Sequence, residues 1–170
     1  MKILITGNKG IASALYDLYS KEHDVTMVSR KTGHNIKEIA TWGVNFLDYD
    51  LVFNNAYEEF GQIAVLEFFF NHWKNDPSKV IVNIGSRSSY YKQKHQADYW
   101  GYRIHKQSLQ LAHDSMLSEA MCNIKIINPG PVDTDMVAGN PGLKFSKEDI
   151  ANRIYCYVED PAIKRVDLWL

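Results

Sequence analysis

Tyr102 and Lys106 are four residues apart in the stretch YRIHK, a spacing that places both side chains on one face of a helix. A phenol has a pKa of about 10, and a neighbouring ammonium lowers that pKa because it favours the phenolate. Such a pair could donate a proton to an oxygen atom on which negative charge develops. The chain contains a second pair with this spacing, Tyr90 and Lys94, so the elements that carry each pair must decide between them.

The two pairs differ in their surroundings. Tyr90 and Lys94 lie in the polar stretch SRSSYYKQKHQAD, which lacks helical periodicity. Tyr102 and Lys106 precede QSLQLAHDSML, which continues the amphipathic pattern of one helix. The pattern therefore favours Tyr102 and Lys106 as the pair that does chemistry.

Short apolar runs alternate with helix-periodic segments along the whole chain. Because the runs are apolar on both faces, they predict a parallel sheet covered by helices. We expect one Rossmann-type domain over residues 1–170, an α/β fold with a doubly wound, mostly parallel sheet of about six or seven strands. The predicted strands are 2–6, 24–29, 50–54, 79–84, 123–128 and 165–170. The predicted helices are 10–22, 37–46, 58–74, 99–120 and 146–158.

The glycine-containing stretch TGNKGIAS follows the first strand and opens the first helix. Gly7 allows a tight turn, Gly10 allows close approach to a diphosphate, and Ala12 or Ser13 is small enough for helix–strand packing. The phosphates of a dinucleotide would lie at the helix N-terminus, although such a turn can also be purely structural. The expected cofactor-binding residues of this turn are Thr6, Gly7, Asn8, Lys9, Gly10 and Ile11.

The end of the second strand indicates which dinucleotide would bind. An NAD site has an acidic residue there for the ribose hydroxyls, whereas this chain has Ser29 and Arg30, with Lys9 in the glycine turn. Cations attract a 2′-phosphate, so we predict NADP(H) as the cofactor. The alternative is that both cations are merely solvated.

Polar residues follow three further strands. Asn54 ends the third strand and Asn55 and Ala56 follow it, so this loop would lie beside the cofactor, although Asn54 itself is best explained by bonds that tie loops together. Ser86 comes two residues after the fourth strand, which exposes its hydroxyl at the edge where a ligand would bind. Pro129 and Gly130 fix a turn after the fifth strand, and Thr134 lies within reach of the same edge.

Taken in order, TGNKGIA, NNA, VIVNIGS, YRIHK and NPGPVDT resemble a short-chain dehydrogenase/reductase over essentially the whole chain. The resemblance implies that Tyr102 is the general acid, that Lys106 is its partner and that Ser86 holds the substrate carbonyl. It also implies that the loop after the fifth strand lies along the nicotinamide half of the cofactor. The residues that it adds to the expected cofactor site are Ile84, Pro129, Gly130, Val132 and Thr134.

The chain departs from the family pattern around the serine and the tyrosine. Ser86 is further from Tyr102 than is usual, and Ser89 has the usual spacing, but Ser86 has the usual strand context. Tyr99 has the usual spacing from Ser86, but four residues on it has Arg103, a poor substitute for lysine. We expect Tyr99 to belong to the pocket or the core.

Three further departures concern missing elements or residues. One helix is absent between the second and third strands, and GHNI (33–36) is the possible remnant of the family's third strand. The family's catalytic asparagine has no clear match, and Glu58, Glu59 and Gln62 are the candidates near its place. The glycine turn is also one residue shorter than the common form.

The leading interpretation is an NADPH-dependent oxidoreductase that reduces a small carbonyl compound or catalyses the reverse oxidation of the alcohol. One alternative is a binding or regulatory protein that keeps the dinucleotide site, and another is a sugar-nucleotide reductase or epimerase. The resemblance also predicts a homodimer or homotetramer through the helices at about 58–74 and 99–120.

Composition excludes several other functions. A formal charge of −1 gives no electrostatic case for nucleic acid, and the apolar run IAVLEFFF is too short for a membrane span. The start MKILITG lacks the pattern of a signal peptide. Cys122 and Cys156 show no metal-ligand spacing, so we expect no metal site and reduced thiols, both buried, in a cytoplasmic protein.

Overall fold

The computed structural model describes residues 1–90, 100–137 and 141–169, which form one six-stranded sheet. All neighbouring strands are parallel, and their order is β2-β1-β3-β4-β5-β6. The doubly wound α/β fold predicted from the sequence is therefore confirmed. The strands are β1 (Lys2–Thr6), β2 (Asp24–Val28), β3 (Leu51–Asn54), β4 (Val80–Ile84), β5 (Asn123–Pro129) and β6 (Arg165–Leu168).

Helices cover both faces of the sheet and bury two apolar clusters. Ile3 and Ile5 pack with α1 and α4 on one face, whereas Leu4 packs with α2 and α3 on the other. Alternate residues of a strand point to opposite faces, so burial of both faces requires strands that are apolar throughout. The helices are α1 (Ile11–Tyr19), α2 (Gly61–Trp73), α3 (Trp100–Met116) and α4 (Lys147–Glu159).

The segment between β2 and β3 differs from its prediction. The expected helix at 37–46 is instead two short 3₁₀ helices, Ile36–Thr41 and Val44–Asp48, separated by Trp42 and by Gly43, which has a φ of 89°. Residues 33–36 form no strand, because the side chain of Asn35 accepts a hydrogen bond from the Lys37 N–H and begins the first 3₁₀ helix. In the part of the chain that the structure describes, β2 therefore lies at the edge of the sheet, where the usual doubly wound order has a further strand.

Asn128 ties the ends of β4 and β5 together. A side chain at Gly85 would overlap the Asn128 amide oxygen, so glycine allows this close approach. The same oxygen accepts a hydrogen bond of 3.1 Å from the Ser86 N–H. Ser86 is thereby held at the carboxyl edge of the sheet.

Among the described residues, no helix combines the length and the apolar composition that crossing a membrane requires. Both cysteines are free thiols. Cys122 is buried, as expected, and burial raises its pKa. Cys156 is exposed, since it lies on the solvent side of α4, and the expectation of burial is wrong there.

Candidate active site

A cleft of about 1850 Å³ opens at the carboxyl edge of the sheet. The loops after β1, β2, β3, β4 and β5 line it together with the first two turns of α3, as expected for a parallel α/β sheet. The structure thus brings to one cleft residues that are distant in the chain. The predicted site residues that line it are Gly7, Asn8, Lys9, Gly10, Ile11, Ser29, Arg30, Asn55, Ala56, Ile84, Ser86, Tyr102, Lys106, Pro129, Gly130, Val132 and Thr134.

Thr6 and Asn54 lie beneath the cleft and do not line it. The Thr6 hydroxyl accepts hydrogen bonds from the N–H groups of Asn55 (2.9 Å) and Ala56 (3.0 Å). The Asn54 amide donates to the Gln62 carbonyl at 2.7 Å. Both side chains are fully buried, so they shape the floor of the cleft by joining its loops.

The glycine turn approaches the loop after β5 closely. Gly10 has a φ of 59°, and a Cβ there would lie 2.9 Å from the Thr134 methyl group. Lys9 and Asp135 form an ion pair of 3.0 Å between the same two loops. The first N–H groups of α1 begin at this turn and favour an anion. The turn therefore fits the diphosphate of a dinucleotide.

The loops after β2 and β3 meet at the other end of the glycine turn. Arg30 lines the cleft there and forms an ion pair of 3.0 Å with Glu58. Both cations predicted to attract a 2′-phosphate are consequently paired with a carboxylate, since Lys9 contacts Asp135. A phosphate would have to compete with Glu58 for the guanidinium.

Ser86 and Ser89 have different surroundings. Ser86 lines the cleft, and its hydroxyl lies 2.8 Å from that of Ser88, which lines the cleft too. Ser89 is buried and donates its hydroxyl hydrogen to the Ser86 carbonyl at 2.7 Å. Of the two serines considered from the sequence, Ser86 is the one that opens on the cleft.

Tyr102 faces another tyrosine in the cleft. Its ring meets the ring of Tyr57 edge-on, with 4.8 Å between the ring centres. The Tyr57 hydroxyl lies 2.9 Å from Nδ1 of His105. Neither Tyr57 nor His105 was identified from the sequence, although Tyr57 directly follows NNA, a stretch expected to lie beside the cofactor.

Lys106 is buried one helical turn after Tyr102. Its ammonium donates hydrogen bonds to Gln62 Oε1 at 2.6 Å and to the Ile84 carbonyl at 2.7 Å. It lies 5.6 Å from the centre of the Tyr102 ring. Burial lowers the pKa of Lys106 from 10.5 to about 7. The lysine therefore titrates near neutral pH.

The three residues considered as replacements for the family's catalytic asparagine make different contacts. Gln62 is buried against Lys106, whereas Glu58 contacts Arg30 and Glu59 forms an ion pair of 2.6 Å with Lys37. The second Tyr–Lys pair of the sequence, Tyr90 and Lys94, is not compared with the first, because Lys94 lies outside the described residues. Tyr99, which was expected in the pocket or the core, also lies outside them. Tyr90 is described and does not line the cleft.

No protein-family model matches the chain, and no curated protein matches it in sequence. Solved structures match over nearly its whole length. A short-chain dehydrogenase from Burkholderia cenocepacia in complex with NADP has a TM-score of 0.83 and 16% identity, with 99% of this chain and 88% of that chain covered. The chain has the fold of the short-chain dehydrogenases/reductases.

Two further structures show the short-chain dehydrogenase/reductase fold with either cofactor. A 3-ketoacyl-(acyl-carrier-protein) reductase from Brucella melitensis, complexed with NADH, has a TM-score of 0.77, 16% identity and coverage of 98% of this chain and 96% of that chain. A small-chain dehydrogenase in complex with NADPH has a TM-score of 0.77, 15% identity and coverage of 99% and 96%. Because identity is low, the similarity establishes the fold, and function must be argued from the residues in the cleft.

The buried lysine makes stability depend on pH. The pKa of Lys106 is lower in the folded chain than in the unfolded chain, so between pH 7 and 10.5 the unfolded chain binds more protons and stability rises with pH. From pH 7 to pH 9 this effect amounts to about 2 kcal/mol. Lys106→Met should lack this rise in the free energy of unfolding, measured by urea denaturation at the two pH values.

The exposed Lys31 provides the matched control. Lys31→Met should keep the wild-type difference between pH 7 and pH 9. Equal pH dependence in Lys106→Met and the wild type would show that Lys106 stays protonated in the folded chain across this range.

Proposed function

We propose that the chain is a cytosolic oxidoreductase of the short-chain dehydrogenase/reductase family that uses NADP(H) to reduce the carbonyl group of a small molecule, or to oxidise the alcohol. One observation carries the proposal: the cleft joins a dinucleotide-type glycine turn to Ser86, Tyr102 and Lys106. A glycine turn alone indicates only a nucleotide, and a Tyr–Lys pair alone arises by chance. Their convergence on one cleft supports an enzyme that brings a cofactor to a proton donor.

Each of these residues has a different role in carbonyl reduction. The nicotinamide, when bound, supplies a hydride to the carbonyl carbon. Ser86 donates a hydrogen bond to the carbonyl oxygen, and Tyr102 gives that oxygen the proton that completes the alcohol. The Lys106 ammonium stabilises the resulting tyrosinate, because a nearby positive charge lowers the pKa of a phenol.

Different loops would hold the two halves of the cofactor. The glycine turn and the N-terminus of α1 suit the diphosphate, and Ser29 and Arg30 suit a 2′-phosphate. The loop after β5, with Pro129, Gly130, Val132 and Thr134, suits the nicotinamide end. Lys106 lies where it can reach ribose hydroxyls from inside the cleft.

Replacing Tyr102 tests the proposed reaction. Tyr102→Phe should lower turnover at least a hundredfold, since general acid catalysis contributes about 10²–10⁴-fold, while NADPH binding stays within about twofold. Turnover is followed by NADPH absorbance with a panel of aldehydes, ketones and quinones, and binding by NADPH fluorescence. Tyr90→Phe is the control and should change neither quantity. NADPH binding by the wild type without turnover of any carbonyl would favour the binding-protein alternative.

Arg30 should determine the choice between NADP(H) and NAD(H). A charged hydrogen bond contributes about 1.5–3 kcal/mol, so Arg30→Asp should weaken NADP(H) binding at least tenfold and leave NAD(H) binding nearly unchanged. Lys31→Asp has the same change of charge at the next, exposed residue, which does not line the cleft, and should affect NADP(H) much less. Calorimetry with both cofactors measures the difference. Equal affinity of the wild type for NAD(H) and NADP(H) would contradict the preference.

We also propose that two copies pair through α2 and α3. Trp100, Ile104 and Leu111 are four and seven residues apart on α3 and form an exposed apolar stripe, with Phe60 exposed at the start of α2. A twofold dimer would cover this stripe on both copies, because such an interface uses the same surface of each chain. Phe69, Phe70 and Trp73 of α2 are buried in the core and do not belong to this surface.

Leu111→Glu tests this interface. The wild type should have twice the chain mass by size-exclusion chromatography with light scattering, and Leu111→Glu should shift it to the monomer because a carboxylate cannot be buried unpaired. Leu143→Glu is the matched control, since Leu143 is even more exposed but lies outside both helices. A monomeric wild type, or a dimer that persists in Leu111→Glu, would contradict the proposed interface.

A further inference from the structure

Gln62 is a buried side chain at the start of α2 that makes three side-chain hydrogen bonds. Its Nε2 donates to the carbonyls of Asn54 (2.7 Å) and Ile84 (3.1 Å), which are the last residues of β3 and β4. Its Oε1 accepts from the Lys106 ammonium at 2.6 Å. One amide thus connects two strand ends to the lysine of the cleft.

The neighbours of Gln62 fix the orientation of its amide. In the opposite orientation, the oxygen would face two carbonyl oxygens and the NH₂ group would face an ammonium. Neither arrangement allows a hydrogen bond, because carbonyls only accept and an ammonium only donates. Oε1 therefore has to point at Lys106.

This amide limits where the lysine can point. Gln62 Oε1 and the Ile84 carbonyl take two of the three N–H groups of the ammonium. Since the three N–H directions are fixed relative to one another, the third is also set, and it is the one that remains for a hydroxyl in the cleft. Within the described part of the chain, the tyrosines near Nζ are Tyr57 and Tyr102, whose ring centres are 5.8 Å and 5.6 Å away.

We propose that Gln62 is a positioning residue that holds the Lys106 ammonium toward the cleft through a neutral acceptor. This role rests on the proposed function, in which Lys106 supports Tyr102. An amide oxygen stabilises the ammonium without adding a charge. A carboxylate at this place would lock the lysine in its charged form, and an apolar side chain would leave it poorly solvated. The amide keeps the ammonium hydrogen-bonded at a place where burial lowers its pKa to about 7.

Substitutions of Gln62 should move the titration of Lys106 in opposite directions. Gln62→Glu places a negative charge beside the ammonium and should raise the pKa of Lys106 by at least one unit. Gln62→Met removes a hydrogen-bond acceptor from the charged form of Lys106 and should lower the pKa of this lysine. The ¹³Cε and ¹⁵Nζ chemical shifts of Lys106 in isotope-labelled protein report this pKa, with Lys106→Met used to assign the signals.

Asn83 offers a matched control in the same buried network. Its Oδ1 accepts from the Asn54 amide at 2.8 Å, so Asn83→Leu also removes one hydrogen bond to Asn54. The structure shows no hydrogen bond from Asn83 to Lys106 among the described residues. Asn83→Leu should leave the titration of Lys106 close to that of the wild type. A folded Gln62 variant with an unmoved Lys106, or an equal shift in Asn83→Leu, would overturn the proposal.

A titration of the wild type tests the proposal without depending on whether a variant folds. The side-chain amide signals of Gln62 should shift with pH along the same curve as Lys106, whereas those of Gln107, which bonds to the Ser89 carbonyl, should not. A Gln62 amide that is insensitive to the Lys106 titration would contradict the proposal.

The pH profile of kcat/KM links Gln62 to the proposed reaction. Gln62→Glu should extend activity to higher pH by about the shift seen for Lys106, because the ammonium form persists. If no carbonyl compound is turned over, the proposed function fails, and the NMR titrations still decide the role of Gln62.

Discussion

The buried ammonium of Lys106 is the interaction around which the cleft is organised. A charge placed inside a protein is strongly unfavourable unless hydrogen bonds replace its water, and removing one partner of such a group costs about 3–5 kcal/mol. Here the partners come from the end of β4 and from Gln62 on α2, while the lysine comes from α3. These three elements must dock together for the ammonium to be satisfied. The same docking places Tyr102, one turn earlier on α3, at the wall of the cleft.

Polar side chains beneath the cleft extend this organisation to the other strands. Thr6 joins the end of β1 to the loop after β3, and Asn128 holds Ser86 at the end of β4. These bonds satisfy backbone groups where the strand ladders stop, since buried backbone N–H groups rarely remain unpaired. The loops that carry the site are therefore attached to a rigid sheet edge. Precise placement of groups for hydride and proton transfer depends on such attachment.

The ion pairs at the cleft affect ligand binding more than they affect stability. Lys9 with Asp135 is an exposed ion pair and Arg30 with Glu58 is a partly exposed one, and ion pairs at the surface contribute little to stability. They matter for binding instead, because an anionic ligand has to compete with each carboxylate. The cofactor end of the cleft is thus less positive than the count of its cations suggests.

The sequence predicted most of the fold, because local patterns record it directly. Continuous apolar runs indicated all six strands, and the helical periodicity of α1, α2, α3 and α4 indicated four of the five expected helices. The prediction failed between β2 and β3, where a helix at 37–46 was expected. There a glycine with positive φ and an asparagine cap produce 3₁₀ turns, and local hydrogen bonds of this kind compete with regular structure.

For the site, too, local sequence patterns were predictive, whereas contacts between distant residues were not predicted. The sequence by itself determined which loops carry the glycine turn and Ser86 and which helix carries Tyr102 and Lys106, since turn glycines, polar residues at strand ends and helical spacing are local patterns. Only the tertiary structure decided that Ser86 and not Ser89 opens on the cleft, that Glu58 pairs with Arg30, and that Gln62 holds Lys106. Each of these depends on which way a side chain points from its backbone and on contacts between residues far apart in the chain. Residue type and spacing do not encode either, because packing of the whole sheet against its helices sets them.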